Sequence, residues 1–277
     1  GTKRQVITAN KYKYSISAMC RWLNIPRSSY YYQAVDPVSE ADLEDKITYI
    51  FLESKSRYGA RKIKKCLEKD GIILSRRRIR RIMKRLNLVS VYQKAAFKPH
   101  SRGKNEAPIP NRLDRQFDQK RPLEALVTDL TYVRVDRRWA YVCLTIDFFN
   151  REIIGLTVGW HKTAELVKQA IQSIPYALTK AKLFHSDRGK EFDNQLIDEM
   201  LEAFGITRSL SQAGCPYDNA VAESTYRSFK LEFINQETFQ SLKELALKTK
   251  DYVHWWNYHR IHGSLNYQTP MTKRIIA

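Results

Sequence analysis

The chain has 277 residues, 43% hydrophobic and 28% charged, which leaves room for one large domain or two to three small ones, each with its own core. No apolar run reaches the roughly 18 residues of a membrane span. The basic start, residues 1–14, has no apolar signal region. The four cysteines, Cys20, Cys66, Cys143 and Cys215, form no CxxC pair, so they read as reduced thiols rather than zinc ligands. The net charge of +19 is unevenly placed: residues 1–120 carry 28 Lys and Arg against 11 Asp and Glu, a net of +17, leaving +2 for the rest. Such a footprint fits a polyanion, above all nucleic acid. A membrane surface fits less well, because the basic helices are short and carry apolar faces of their own.

Residues 15–33 are predicted to form a compact helix-turn-helix. Ile16, Met19, Cys20 and Leu23 recur at helical spacing. Asn24-Ile25-Pro26 breaks that helix, and Pro26 suits the start of a second one carrying Arg27 and Tyr30, Tyr31 and Tyr32. Asp36-Pro37 reads as a linker. A second unit follows. Residues 42–55 align Leu43, Ile47, Ile50 and Phe51 on one face, Tyr58-Gly59 breaks the pattern, and residues 60–69 turn Ile63 and Leu67 inward. Gly71 ends that helix and Ser75 is an N-cap for the next. Residues 76–86 then place Ile79, Ile82, Met83 and Leu86 on one side. Arg76, Arg77, Arg78, Arg80, Arg81, Lys84 and Arg85 fill the others. Seven cations without an acid in eleven residues repel one another unless a polyanion lies against them, so this helix is read as a DNA contact rather than a solvated face. Residues 99–122, with Pro99, Pro108, Pro110 and Pro122 and no periodicity, read as an extended linker.

Beyond the linker the period changes to that of strands, predicted at 126–133, 139–147 and 152–160, with a hairpin at 148–151. A helix at 163–174, a strand at 181–185, a helix at 194–204 stopped by Gly205, a strand at 206–210, a loop at 211–219 and a helix at 220–233 follow. A further helix at 242–258 leads into a polar tail. Three strands, then helix, strand, helix, strand and helix, is the order of an RNase H-like α/β fold with a five-stranded mixed sheet. The expected organisation is a helix-turn-helix at 1–35, a second at 36–98, a linker at 99–122, a catalytic core at 123–235 and a helical extension at 236–277. Tyr252, Trp255, Trp256 and Tyr258 in that extension suit core packing better than base stacking.

Three carboxylates stand out. Phosphodiester chemistry with hard divalent ions needs oxygen ligands, and two magnesium ions can activate the attacking oxygen and stabilise the leaving one. Asp129 interrupts the apolar run Leu126-Val127-Thr128-Asp129-Leu130, where a carboxylate is costly unless paired or metal-bound. Asp187 follows a short strand in His185-Ser186-Asp187-Arg188-Gly189, at the kind of strand end where α/β folds place ligands. Glu223 opens the helix after the Gly-Pro loop, beside Ala220, Val221 and Ala222, and is expected close to the core. Taken singly, Asp129 could be a strand-edge acid, Asp187 a turn residue and Glu223 a partner for the helix dipole. Together, with 35 residues between Asp187 and Glu223, they read as one site. Lys230 lies two turns beyond Glu223 on the same helix face. Asp147 reads as a structural turn acid and Asp218 as a loop former.

The pieces Val127-Thr128-Asp129-Leu130-Thr131-Tyr132, His185-Ser186-Asp187-Arg188-Gly189 and Pro216-Tyr217-Asp218-Asn219-Ala220-Val221-Ala222-Glu223-Ser224 form a joint pattern. With Phe229-Lys230, the tail Trp256-Asn257-Tyr258-His259-Arg260-Ile261-His262-Gly263-Ser264-Leu265 and Tyr58-Gly59-Ala60-Arg61-Lys62-Ile63, it resembles the catalytic frame of insertion-sequence-three family transposases. These belong to the DDE group with retroviral integrases. The departure is Lys190-Glu191-Phe192, where the family more often has a small or polar residue first. The resemblance implies an enzyme that binds terminal inverted repeats, frees a 3′-OH and joins strands through a circular intermediate. It implies Asp129, Asp187 and Glu223 as catalytic ligands of two Mg2+ ions, with Mn2+ as a substitute. DNA contacts fall to Lys230, Arg188, Asn219, Arg27, Arg61, Arg76, Arg77, Arg78, Arg80, Arg81 and Lys84. The implied partners are double-stranded DNA, both element ends and target, and a second copy of the chain, in the bacterial cytoplasm at the nucleoid. An upstream frame with extra helices often precedes such a chain. The alternatives are a repressor or domesticated factor on an inactive integrase-like scaffold, and a structure-selective nuclease without strand transfer.

Overall fold

The computed structural model describes residues 2–31, 39–93, 109–212 and 215–277. The readings at Tyr32, Asp36-Pro37, the first part of the linker (99–108) and Gly214 lie outside the described residues. The chain divides into two compact units, 1–46 and 47–277. In the first, α1 (Thr2–Asn10), α2 (Ile16–Trp22) and α3 (Arg27–Tyr31) follow one another. Ser15 caps α2 by accepting from Ala18 N at 3.1 Å, and Ile7 and Cys20 are buried. The first helix, α1, lies in a stretch read from sequence only as a basic start. The division falls inside α4 (Glu40–Glu53).

The second unit opens with two packed helices, α5 (Ala60–Lys69) and α6 (Arg76–Arg85). Gly71, at φ +76°, makes the left-handed turn that ends α5, and Ser75 accepts from Arg78 N at 3.2 Å to start α6. Ile63, Leu67, Ile79, Ile82 and Met83 are buried. Arg76, Arg77, Arg80, Arg81, Lys84 and Arg85 remain exposed, with Arg78 half-buried.

Among the described residues the strands form one mixed sheet: β1 (Ala125–Val135), β2 (Arg138–Asp147), β3 (Ile153–Gly159), β4 (Leu183–Ser186) and β5 (Thr207–Leu210), in the order β3-β2-β1-β4-β5. The first three pair antiparallel, while β4 runs parallel to β1 and to β5. Each strand lies within two residues of its predicted ends. Alternation along β1 sends neighbouring residues to opposite faces. Leu126, with Cys143, Ile154 and Phe184, packs under α7 (Ala164–Gln172) and α8 (Gln195–Ala203). Val127, with Val142 and Leu144, packs under α9 (Ala220–Glu232) and α10 (Leu242–Tyr258).

Three departures from the sequence reading concern what attaches to this core. Tyr252 and Trp256 of α10 belong to the same apolar cluster as the strands, so the segment after 236 completes the core rather than extending it. Tyr258 alone of the four aromatics is exposed, at 50%. The tail is not simply polar: it folds into α11 (Pro270–Ile276), capped by Thr269 and tied down by Arg274 to Asp147 (2.8 Å) and Glu152. Ion pairs carry this contact, so no apolar periodicity announced it. The described part of the linker, 109–122, has no regular structure but is docked. Leu113 is buried, and the Arg112 and Leu113 amides donate to Ser209 Oγ at 2.9 and 3.1 Å. No helix among the described residues is long and apolar enough to cross a membrane.

Within the second unit the segment leading into α5 is bonded to the core. Arg57 Nε donates to the Glu232 carbonyl at 3.0 Å, and Tyr58 bridges the chain at 259–261 by donating to the His259 carbonyl and accepting from Ile261 N. Buried Glu232 accepts from Arg260 (2.7 Å) and Tyr252 (3.0 Å).

Candidate active site

The parallel pairing of β1 with β4 ends at Val127 opposite His185. Asp129 and Asp187 each lie two residues further along, so adjacent strands deliver two carboxylates side by side where β4 stops. Both are half-buried. Asp129 Oδ1 accepts from Leu130 N at 2.7 Å and Asp187 Oδ1 from Gly189 N at 2.9 Å. Burial, reinforced by the Asp187 charge, pushes the Asp129 carboxyl up to about 7. Burial also raises Asp187, with Glu191 adding and Lys162 opposing. The site therefore carries more negative charge than its surroundings neutralise.

Two further groups shape it, neither assigned from sequence. Glu191 is buried and ion-paired with Lys162 at 2.7 Å. It sits so close under Gly189 that a Cβ there would meet its carboxylate unless that side chain shifted. Tyr226 of α9 is buried; its hydroxyl donates to the Asp129 carbonyl and accepts from Leu144 N at 2.7 Å. It pins α9 to the two central strands at the acid itself. The Lys190-Glu191-Phe192 departure was the only sequence signal for Glu191, and Tyr226 had none beyond its place three residues after Glu223.

The structure places the third acid differently from expectation. Val221, Ala222, Thr225, Tyr226 and Phe229 form the buried face of α9, whereas Glu223 lies on the helix's outer side and is exposed. Its small apolar neighbours face the core; one residue further round the helix, it does not. Arg227 and half-buried Lys230 follow Glu223 along the same face. Lys230 lies 5.0 Å from the Tyr132 ring and lowers Asp129. Among the described residues no three His, Cys, Asp or Glu side chains stand close enough to hold a metal ion. Thus Asp129 and Asp187 come together, and Glu223 stands apart on the first turn of α9.

The remaining sequence-selected residues divide by burial. Arg27, Arg61 and the cations of α6 are exposed, save half-buried Arg78. Asn219 is buried, and its Oδ1 has no hydrogen-bond partner among the described residues. Arg188 turns inward, donating to the Ser211 carbonyl (2.6 Å) and the Ile109 carbonyl (3.2 Å). His185 hydrogen-bonds Ser209 (2.9 Å) and Ser211 (3.1 Å), and burial lowers its imidazole to about 4, so it is a neutral tie between β4 and β5. Asp147 receives amides from Leu123 and Phe149 and pairs with Arg274; Asp218 pairs with Arg115 at 2.8 Å and accepts from Gln212 N. Both acids are structural.

The family described as Integrase core domain matches residues 119–216, a second of that description matches 204–270, and the HTH-like domain matches 38–96. InsK of insertion sequence element IS150 from Escherichia coli K12 is 29% identical over 94% of this chain and 94% of its own length. The transposase for IS904 from Lactococcus lactis is 29% identical over 82% of this chain and 91% of its own. This chain carries an integrase core and an HTH-like domain, and it is similar to transposases of insertion sequences. InsF of IS3A from Escherichia coli K12 is 28% identical over 94% of this chain and 95% of its length. Among solved structures, the HTLV-2 integrase catalytic core domain in complex with magnesium aligns with a TM-score of 0.42 and 15% identity, over 56% of this chain and 97% of that one. The helices at 40–85 carry the HTH-like domain and the mixed sheet carries the integrase core.

Proposed function

We propose that this integrase-core homologue is a DNA transposase that cleaves the 3′ ends of its element and transfers them to a new strand. The observation that carries this reading is the pair Asp129 and Asp187, set side by side by the β1–β4 register and both pushed toward the neutral form. Two half-buried, mutually repelling carboxylates suit hard divalent cations, and Mg2+ favours oxygen ligands of this kind. They would hold two Mg2+ ions, with Mn2+ as a substitute. Glu223, exposed on the first turn of α9, would be the third ligand. When bound, the metal activates water or the 3′-OH and stabilises the leaving 3′ oxygen. Tyr226 keeps α9 in register with Asp129, Lys230 holds the DNA end beside the acids, and Lys162 balances Glu191.

The HTH-like helices supply affinity and end recognition. The exposed Arg76, Arg77, Arg80, Arg81 and Lys84 take phosphates and base edges of the terminal inverted repeats. Joining two ends brings two copies of the chain together, and a circular intermediate precedes insertion. Labelled DNA carrying the element ends, incubated with protein and Mg2+ or Mn2+, tests this. Joined products support transposition, and cleavage alone makes the protein a nuclease. Binding without either product, unchanged by Asp187→Asn, leaves a DNA-binding factor on an inactive scaffold.

A further inference from the structure

A groove of about 940 Å³ runs between the start of α5, the outer half of α6, the segment 87–92 and the chain at 260–267. Among the described residues six cations line it, Arg57, Arg61, Lys62, Arg80, Lys84 and Arg260, and no acid does. Arg260 is fully engaged by Glu232, Tyr92 and His262. Arg57 and Lys62 are not. Arg57 stacks on Trp255, its CZ 4.1 Å from the ring centroid, and donates through Nε to the Glu232 carbonyl. Its Nη1 is buried without a hydrogen-bond partner among the described residues. Lys62 Nζ sits 4.7 Å from the Tyr58 ring centroid and is likewise buried and unpartnered. Among the described residues the one carboxylate bonded within this cluster, Glu232, faces Arg57, Lys62 and Arg260. A buried donor without an acceptor is costly, and a buried unpaired cation more so. A ligand that accepts from both groups would remove that cost.

We infer that Lys62 and Arg57 form a seat for one backbone phosphate of double-stranded DNA, at the junction of the HTH-like helices and the core. The inference rests on the reading of the chain as a DNA-processing enzyme and adds a contact that the exposed arginines do not supply. Three features favour a phosphodiester over free phosphate. The groove is open rather than enclosed. Its rim continues onto the exposed Arg77, Arg81 and Lys84 of α6. Its cations come from α5 (Arg61, Lys62), from α6 (Arg80, Lys84) and from the segments at 57 and 260. An anion in the groove offsets the charge that burial works against, since burial lowers Lys62 to about 7. Because the chain at 57–62 is bonded to the core through Glu232 and His259, this phosphate is held in a fixed register with the sheet.

The test is fluorescence-anisotropy titration of the full chain with a labelled DNA duplex over a range of salt, for wild type and Lys62→Met. Loss of a charge-assisted bond weakens DNA binding about tenfold. The slope of log K against log salt falls by about one. Thermal unfolding separates this from a folding role: removing an unpartnered buried ammonium leaves the melting temperature equal or higher. Should Lys62→Met fail to fold, Lys62→Gln serves in its place. Wild-type affinity and salt slope in the folded variant overturn the seat while leaving the transposase reading standing. Failure of the wild type to bind duplex DNA overturns both. Inorganic phosphate is the second probe, at matched ionic strength. If it raises the wild-type melting temperature but not the variant's, and DNA binding is unchanged by the substitution, the occupant is free phosphate and the DNA assignment falls.

Discussion

Two ends of the second unit are built with opposite errors of charge. Where β4 ends beside the middle of β1, Asp129, Asp187 and Glu191 gather with Lys162 and Lys230, and burial raises both aspartates. In the groove beside α5, Arg57, Lys62 and Arg260 gather around Glu232, and burial lowers Lys62 and Arg57. The first cluster holds more acids than cations, and the second more cations than acids. Yet one cation differs from the rest: Arg260 meets Glu232 in a satisfied pair with bonds on every side. That pair holds the fold together, while the unsatisfied groups at either end await ligands. A divalent metal completes the first cluster and a DNA phosphate the second.

The largest expected effect falls on the acid end. Asp129→Asn or Asp187→Asn should cut strand cleavage by about a thousandfold or more, the several kcal/mol a metal contributes to transition-state charge. DNA binding should persist, as read by gel shift beside a cleavage assay. Glu223→Gln should cause a comparable loss with an unchanged melting temperature, because its side chain is exposed. Wild-type activity in that variant would remove Glu223 from the site.

Next in size is the satisfied pair. Glu232→Gln leaves Arg260 buried without its counter-ion, which costs about 3–5 kcal/mol in denaturant unfolding. Burial works against the Glu232 charge, but Arg260 outweighs it and holds the carboxyl below its usual value. A depressed folded pKa stabilises above the unfolded value and is lost as pH falls through the folded one. The wild type should therefore lose stability on acidification below the usual Glu range, and Glu232→Gln should lose less. A smaller effect is expected at Lys162. Lys162→Met removes the Glu191 partner without touching a proposed ligand, so activity should fall by about ten- to a hundredfold, with metal affinity moving in step. An unchanged metal requirement would make the Lys162–Glu191 pair merely structural.

The sheet was readable because β-branched and aromatic residues crowd 126–133 and 139–147, and helix-period segments separate the later strands. Asp129 was readable for the opposite reason, a polar residue where the pattern demanded an apolar one. Glu223 was misplaced because its small neighbours suggested burial, whereas the helix turns it away from them. Asn219 and Arg188 share motifs with functional residues but fold inward, which a linear motif does not reveal. The α11 helix escaped because Arg274 anchors it through charge. Lys62 and Arg57 escaped because their isolation is a property of the folded chain: the sequence shows two more cations in a basic stretch, and only packing shows that they lack partners.

The measurement that bears most directly on the acid cluster is thermal unfolding of wild type and Asp129→Asn with and without Mg2+. Asp129 has a folded pKa near 7 against an ordinary 3.8, so folding takes up a proton and stability falls as pH rises between these values. At about pH 8 the metal-free wild type should melt below Asp129→Asn, and Mg2+ should raise the wild type by binding the folded state while leaving the variant unmoved. A wild type that melts above Asp129→Asn and does not respond to Mg2+ would contradict a metal site at these acids.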